Sequence, residues 1–331
     1  MRKKWMYGLV VVAVLAGAYL VGPSPATPVY DKEMSAVPAD PAELERYIRS
    51  IEEQHQLKPD NEARIIWNDS AKAKTPFSVV YLHGFSASQE EGDPVHIDFA
   101  RKFGCNLFLA RLADHGVDTT EQLLLFTPDR LWDSGKTALA VGEAIGDRVI
   151  LLSTSTGGTL ALMLAAAYPE KVHALINMSP NIEINNSLAF MANNPWGNQI
   201  ARWVIGSDYQ VINYPPERQG YWNGKYRIEA IAQLQELLET GMTANTFGAV
   251  KCPTLTLYYY KNEREQDPTV RVAAMLKMHE QLGTPADQKR EVAISTAGEH
   301  VLGSHLVSKD VPAVYAAIQQ FAVDVLKLQP R

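Results

Sequence analysis

Cysteine is nearly missing from this sequence: two residues in 331, Cys105 and Cys252. At most one intramolecular disulfide can form, and with Cys105 the first cysteine no thiol near the N-terminus is available for lipid attachment. Basic charge is not in excess either. The formal net charge is −6, without the basic stripe of a polyanion binder, so no nucleic-acid partner is expected. Internal repeats and low-complexity tracts are also absent, which sets aside solenoids and fibrous arrays. What remains is a chain of 331 residues, 46% hydrophobic and 21% charged. That is enough for one large α/β domain with an insertion, or for two small domains.

The single long apolar run stands at the N-terminus. Arg2, Lys3 and Lys4 precede an uncharged stretch from Trp5 to Gly22, and Pro23, Pro25 and Pro28 follow. Basic residues ahead of an apolar run stay on the cytoplasmic side. Residues 1–22 are therefore expected to be a membrane anchor, with the rest of the chain facing outside the cytoplasm. Cleavage after Ala16-Gly17-Ala18 is the alternative, giving a signal peptide and an exported protein. Residues 23–40 read as a linker. Pro41–Gln54 reads as a polar helix, with Asp40 as N-cap and Pro41 in its first position.

Beyond it, β-rich runs alternate with helical segments. Strands are predicted over Arg64–Trp67, Phe77–Leu82, Asn106–Leu112, Val149–Ser153, Ala174–Met178, Thr254–Tyr260 and Glu291–Ser295. Several are almost continuously apolar, as strands buried on both faces of a parallel sheet must be. Helices are predicted between them, over Asp129–Ile145, Gly158–Ala167 and Val270–Leu282. The alternation points to a doubly wound α/β domain with a mostly parallel sheet, built from residues 41–180 and 247–331. Residues 181–246 break the rhythm. No convincing strand occurs there, and three of the six tryptophans fall in it, Trp196, Trp203 and Trp222. A structureless loop of that length is uncommon, so a helical cap is expected. Its last helix carries Ile228, Ile231, Leu234 and Leu238 on one face, with Gly241 as C-cap.

Three loops carry candidate chemistry. Strand Val149–Ser153 runs into Ser153-Thr154-Ser155-Thr156-Gly157-Gly158, and a helix follows at once. A serine on so sharp a strand-to-helix turn projects its hydroxyl above the sheet, and small residues two before and two after it allow the close approach. Ser153 stands where the usual G-x-S-x-G pattern has its first glycine. A Ser/Thr-rich helix cap is the other reading of this segment. His83-Gly84-Phe85 lies straight after strand Phe77–Leu82, and backbone N–H groups of Phe85 and Thr156 are placed to bind a developing negative charge. His300 follows the last strand and suits a proton shuttle; His305, five residues on, is the weaker candidate. After strand Thr254–Tyr260 comes an acidic loop, in which Asp267 is the expected partner that orients the imidazole and Glu263 the alternative.

The order Ser155…Asp267…His300 resembles the α/β-hydrolase superfamily, in particular its carboxylesterase and monoacylglycerol-lipase-like members. The segments that carry the likeness are YLHGFSAS (Tyr81–Ser88), ARLADHG (Ala110–Gly116), LLSTSTGGTLAL (Leu151–Leu162), CPTLTLYYY (Cys252–Tyr260) and AGEHVLGS (Ala297–Ser304). The resemblance implies a serine hydrolase acting on a carboxylic ester, small or lipid, without metal or organic cofactor; the alternatives are a lipase or acyltransferase on membrane lipids, or a non-catalytic binding protein of the same fold. It also implies that the cap is a lid inserted after the sixth strand, and that Asn106–Leu112 is an outer strand far from Thr254–Tyr260. Cys105 and Cys252, each just ahead of one of those strands, are then too far apart to pair.

Overall fold

The computed structural model describes the backbone of residues 2–331 and the side chains from Trp5 onward. In chain order the elements are α1 (Arg2–Leu20), α2 (Pro41–Glu52), β1 (Arg64–Ile66), β2 (Ser78–Leu82), α3 (Val95–Phe103), β3 (Asn106–Leu109), α4 (Pro128–Ile145), β4 (Val149–Thr154), α5 (Thr156–Ala167) and β5 (Val172–Met178). Next come α6 (Gly197–Ile205), β6 (Tyr209–Val211), α7 (Pro216–Gln219), β7 (Lys225–Arg227), α8 (Ile228–Gly241) and α9 (Ala244–Ala249). The chain closes with β8 (Thr254–Tyr258), β9 (Tyr260–Asn262), β10 (Glu265–Gln266), α10 (Val272–Gln281), β11 (Lys289–Ala293) and α11 (Val311–Asp324).

Seven strands form one sheet in the order β1-β3-β2-β4-β5-β8-β11. Only β1 runs antiparallel to its neighbour; every other pairing is parallel. The predicted doubly wound sheet is therefore present. Its two faces follow from the period-2 alternation of a strand. Val80, Leu82, Val149, Leu151 and Leu175 face a core shared with α4, α5 and α8. Val79, Tyr81, Ile150, Leu152 and Ile176 face the opposite core, under α3 and α11. Both faces are covered, which is why these strands read as unbroken apolar runs.

Helix ends follow from local chemistry. Asp40 accepts the Glu43 N–H at 3.0 Å, with Pro41 in the first turn, as expected for α2. Thr127 caps α4 in the same way, with Pro128 behind it. Gly241 is the last residue of α8, not the cap beyond it; that place falls to Met242. Residues 23–40 lie against the core: Trp132 Nε1 donates to the Asp31 carbonyl at 2.5 Å, and Tyr30, Met34 and Val37 pack on the α4 side. Cys105 and Cys252 are free thiols. They precede β3 and β8, four strand positions apart, which at ~4.8 Å per step places them about 19 Å from each other across the sheet. Strand β3 lies second from the edge, with β1 outside it.

Two expectations are corrected. Among the described residues no helix is long and apolar enough to cross a membrane. Arg2–Lys4 occupy the first turn of α1. The uncharged remainder, Trp5–Leu20, extends only about 24 Å at a rise of 1.5 Å per residue, against a hydrocarbon core of roughly 30 Å. The single-pass anchor, the membrane partner and the extracytoplasmic placement drawn from that run are withdrawn. Second, the insertion follows β5, the fifth sheet strand in chain order, and it contains a two-stranded ribbon, β6 against β7. Strands of three residues each were too short to register as a pattern.

Candidate active site

All the candidate residues lie beyond the carboxyl ends of sheet strands, where an open α/β sheet presents its loops to a ligand. Strand β4 ends at Thr154 and α5 begins at Thr156, leaving Ser155 alone to make the turn. Its backbone takes φ 53° and ψ −119°, a region that costs a non-glycine residue about 1–3 kcal/mol. The surroundings hold it there. The Ser155 N–H donates to the Met178 carbonyl at 3.0 Å, and the Ser155 carbonyl accepts from Gly158 at 2.8 Å and from Asn181 at 2.9 Å. Gly157 is required by space: a Cβ on it would stand 2.0 Å from the Leu82 carbonyl oxygen. Ser153, in place of the usual glycine, is fully buried and donates to Asn177 Oδ1 on β5 at 2.8 Å. The departure from the motif thus adds a bond between neighbouring strands.

Asp267 and His300 meet. Strand β8 leads into the β9–β10 ribbon, and the Asp267 N–H then returns to the Tyr259 carbonyl at 3.0 Å. Asp267 Oδ2 accepts from His300 Nδ1 at 2.7 Å, while Oδ1 accepts the N–H groups of Thr269 and Val270 at 2.9 and 3.0 Å. Burial drives the Asp267 carboxyl upward, but the His300 charge and hydrogen bond with those two N–H donors outweigh it and hold the pKa below the usual carboxylate value. Burial pulls the His300 imidazole down; the Asp267 charge and hydrogen bond, with Glu91 and Glu299 behind them, raise it above its ordinary value. With Nδ1 committed to Asp267, Nε2 is left buried and without a hydrogen-bond partner among the described residues.

Glu263 is not in this arrangement. It accepts the Tyr260 hydroxyl at 3.0 Å on the exposed ribbon. His305 is not either. It lies in a turn rather than a helix, half exposed, with Asp93 and Glu90 carboxylates at 3.5 and 3.8 Å.

The loop after β2 is tied down by His83. Its Nε2 accepts the Leu112 N–H at 3.1 Å, which leaves the proton on Nδ1 to bond the Gly84 carbonyl at 2.9 Å. Burial and the neighbouring His115 keep this ring well below its ordinary pKa, so it is a neutral strut. Phe85 lies in the loop after β2 and Thr156 is the first residue of α5, and neither N–H donates to a backbone carbonyl among the described residues. The Thr156 N–H also opens α5, whose N-terminal dipole favours negative charge.

Two neighbours were missed by sequence reasoning. Glu91, in the turn after the β2 loop, is 3% exposed and accepts the Gly84 N–H at 2.5 Å. Trp222 was noted only as one of the cap's aromatics, yet it is buried against Ala87 and Val301 beside the two site loops. The adjacent Asn223 N–H donates to the Ser86 carbonyl at 2.7 Å. No local pattern signals either one: Gln89-Glu90-Glu91 reads as a solvated turn.

No family model and no curated protein matches the chain. Solved structures do. A structure of the metagenome-derived lipolytic enzymes LipS and LipT superposes with a TM-score of 0.61 at 20% identity, covering 80% of this chain and 98% of that one. Monoacylglycerol lipase from Paleococcus ferrophilus gives 0.53 at 12% identity, over 77% of this chain and 98% of its own. The mouse alpha/beta hydrolase domain-containing protein 10 gives 0.52 at 19%, over 81% and 94%. The shared property is the fold.

Proposed function

The chain has the α/β-hydrolase fold, and from that premise we propose that it is a serine hydrolase cleaving a carboxylic ester through an acyl-enzyme. The observation that carries this is the buried His300–Asp267 pair with Nε2 left free; Ser155, held in a strained turn, is the nucleophile we assign to it. Ser155 Oγ attacks the ester carbonyl and gives its proton to His300 Nε2. Asp267 fixes the imidazole with its acceptor nitrogen toward the serine and stabilises the imidazolium. The N–H groups of Phe85 and Thr156 bind the oxyanion; one such donor is worth about 3 kcal/mol in the transition state. His300 then protonates the departing alcohol. Water, activated by the same imidazole, releases the acid.

Residues 181–246 serve as a lid in this reading, and residues 41–180 with 247–331 as the catalytic core. The closure of the site supports it: Ser155 is 6% and His300 8% exposed. The apolar cluster of Trp222, Tyr214, Val301 and Ala87, which joins residues 181–246 to the loops that carry His83 and His300, suits the acyl part of a small ester or a lipid. The test is labelling by a fluorophosphonate probe. Wild type is expected to react at Ser155 and Ser155→Ala to stay unlabelled; a folded wild type that resists the probe refutes the assignment.

A further inference from the structure

We infer that Glu91 is a positioning residue of this site: its buried carboxylate holds the oxyanion loop through the Gly84 N–H and sets a second negative charge beside His300. The inference rests on the serine-hydrolase reading of the site and assigns to it a group that the triad chemistry does not use.

The geometry is specific. Glu91 follows the loop by seven residues and folds back under it, so that Oε2 receives the Gly84 N–H at 2.5 Å. A Cβ on Gly84 would stand 2.8 Å from Glu91 Oε2, 2.9 Å from Oε1 and 2.9 Å from Ser155 Cβ. The carboxylate and the nucleophile therefore flank the same glycine, and only glycine fits between them. The next peptide bears the Phe85 N–H, so fixing Gly84 fixes the direction in which that donor points.

Every packed element contributes a facing group. His300 comes from the loop after β11 and Ser155 from the elbow; Tyr81 comes from β2; Trp222, Arg218 and Tyr214 come from the cap. The Arg218 guanidinium lies over the rings of Tyr214 and Trp222 at 4.7 and 4.9 Å. On its own turn, Glu90 and Asp93 are drawn instead toward His305. Burial raises the Glu91 carboxyl to about 7, against the lowering effects of the Gly84 bond, His300, Trp222 and Arg218. Its charge is thus gained or lost in the range where a histidine base works, and it acts on His300 in the same direction as Asp267.

Glu91→Gln separates the two roles, because glutamine retains an acceptor for Gly84 and loses the charge. Ring titration of His300 by NMR, assigned with His300→Asn, is expected to move to lower pH by roughly one unit in Glu91→Gln. The acid limb of Ser155 labelling should move with it. Glu91→Ala also frees the loop, and labelling is expected to slow at least about tenfold at every pH. An unmoved His300 titration in Glu91→Gln, or a loss in both variants that scales all pH values equally, overturns the proposal. If Glu91→Ala fails to fold, the glutamine variant decides alone. A wild type that resists the probe, with His300 still shifted in Glu91→Gln, would refute ester hydrolysis and leave the Glu91–His300 coupling standing.

Discussion

Asparagine at position 267 removes one charge and almost no volume, so its effect can be worked out from the hydrogen bonds. Oδ1 can go on accepting from Thr269 and Val270, and the loop keeps its shape. The other atom becomes an NH2 group facing His300 Nδ1, where a carboxylate oxygen now accepts at 2.7 Å. Two donors cannot face each other, so the imidazole takes the opposite tautomer, with its proton on Nε2. That nitrogen can then no longer accept the Ser155 proton. The charge that stabilises the imidazolium also disappears. In a triad of this kind the combined loss is about 10⁴-fold in kcat, or about 5 kcal/mol of barrier. The assay is kcat/KM on a short-chain p-nitrophenyl ester, with Glu263→Gln as the comparison variant. The exposed Glu263 carboxylate accepts the Tyr260 hydroxyl and takes no part in the His300–Asp267 pair, so its change to glutamine should alter turnover by less than about twofold. An Asp267→Asn enzyme that retains a tenth of wild-type activity, or a Glu263→Gln enzyme that loses most of it, would refute the assignment of the acid.

Other consequences follow from single contacts. Gly157→Ala forces a Cβ to 2.0 Å from the Leu82 carbonyl; thermal melting should show about 1–3 kcal/mol of destabilisation, and an unchanged midpoint would contradict the packing. Ser153→Gly restores the usual motif but strips Asn177 Oδ1 of its bond, so a loss of about 1–3 kcal/mol is expected, where a gain would mean the bond contributes nothing. The His300 pKa is raised above 6.5, so its base form disappears as pH falls and the acid limb of kcat/KM should lie above 6.5; a limb well below that value is the contrary result. The stability linkage runs the other way for this group. Its contribution is complete below the unfolded value of ~6.5 and fades as pH rises through the folded one, whereas that of Asp267 is present above ~3.9 and lost as pH falls through its lowered pKa.

The core and the meeting of Asp267 with His300 were legible because both rest on strong local signals. Continuous apolar runs mark β2, β4 and β8 as covered on both faces, and Phe85, Ser155 and Asp267 follow them in the chain; His300 follows β11, an edge strand that is largely exposed. What was not legible depends on long-range burial. Glu91 sits in a polar run that, taken alone, belongs in water; it is buried because its turn folds under the β2 loop and Trp222, 131 positions later, closes over it. The aromatics of residues 181–246 could not be sorted by sequence either. Trp222 and Tyr226 are buried while Trp203 is 83% exposed, although all three lie in one stretch of similar composition. The N-terminal run misled for a different reason. Its apolar length was counted to Gly22, but the helix ends at Leu20 and its first turn holds three basic residues.

The central claim is a covalent bond between substrate and Ser155. It is tested most directly by quenching turnover of an activated acyl ester within the first cycle and measuring the intact mass. The account predicts an increase equal to one acyl group, located on the peptide that contains Ser155, preceded by a burst of released alcohol and abolished in Ser155→Ala. Ester hydrolysis that continues at the wild-type rate in Ser155→Ala, or an acyl group found on another residue, would contradict it.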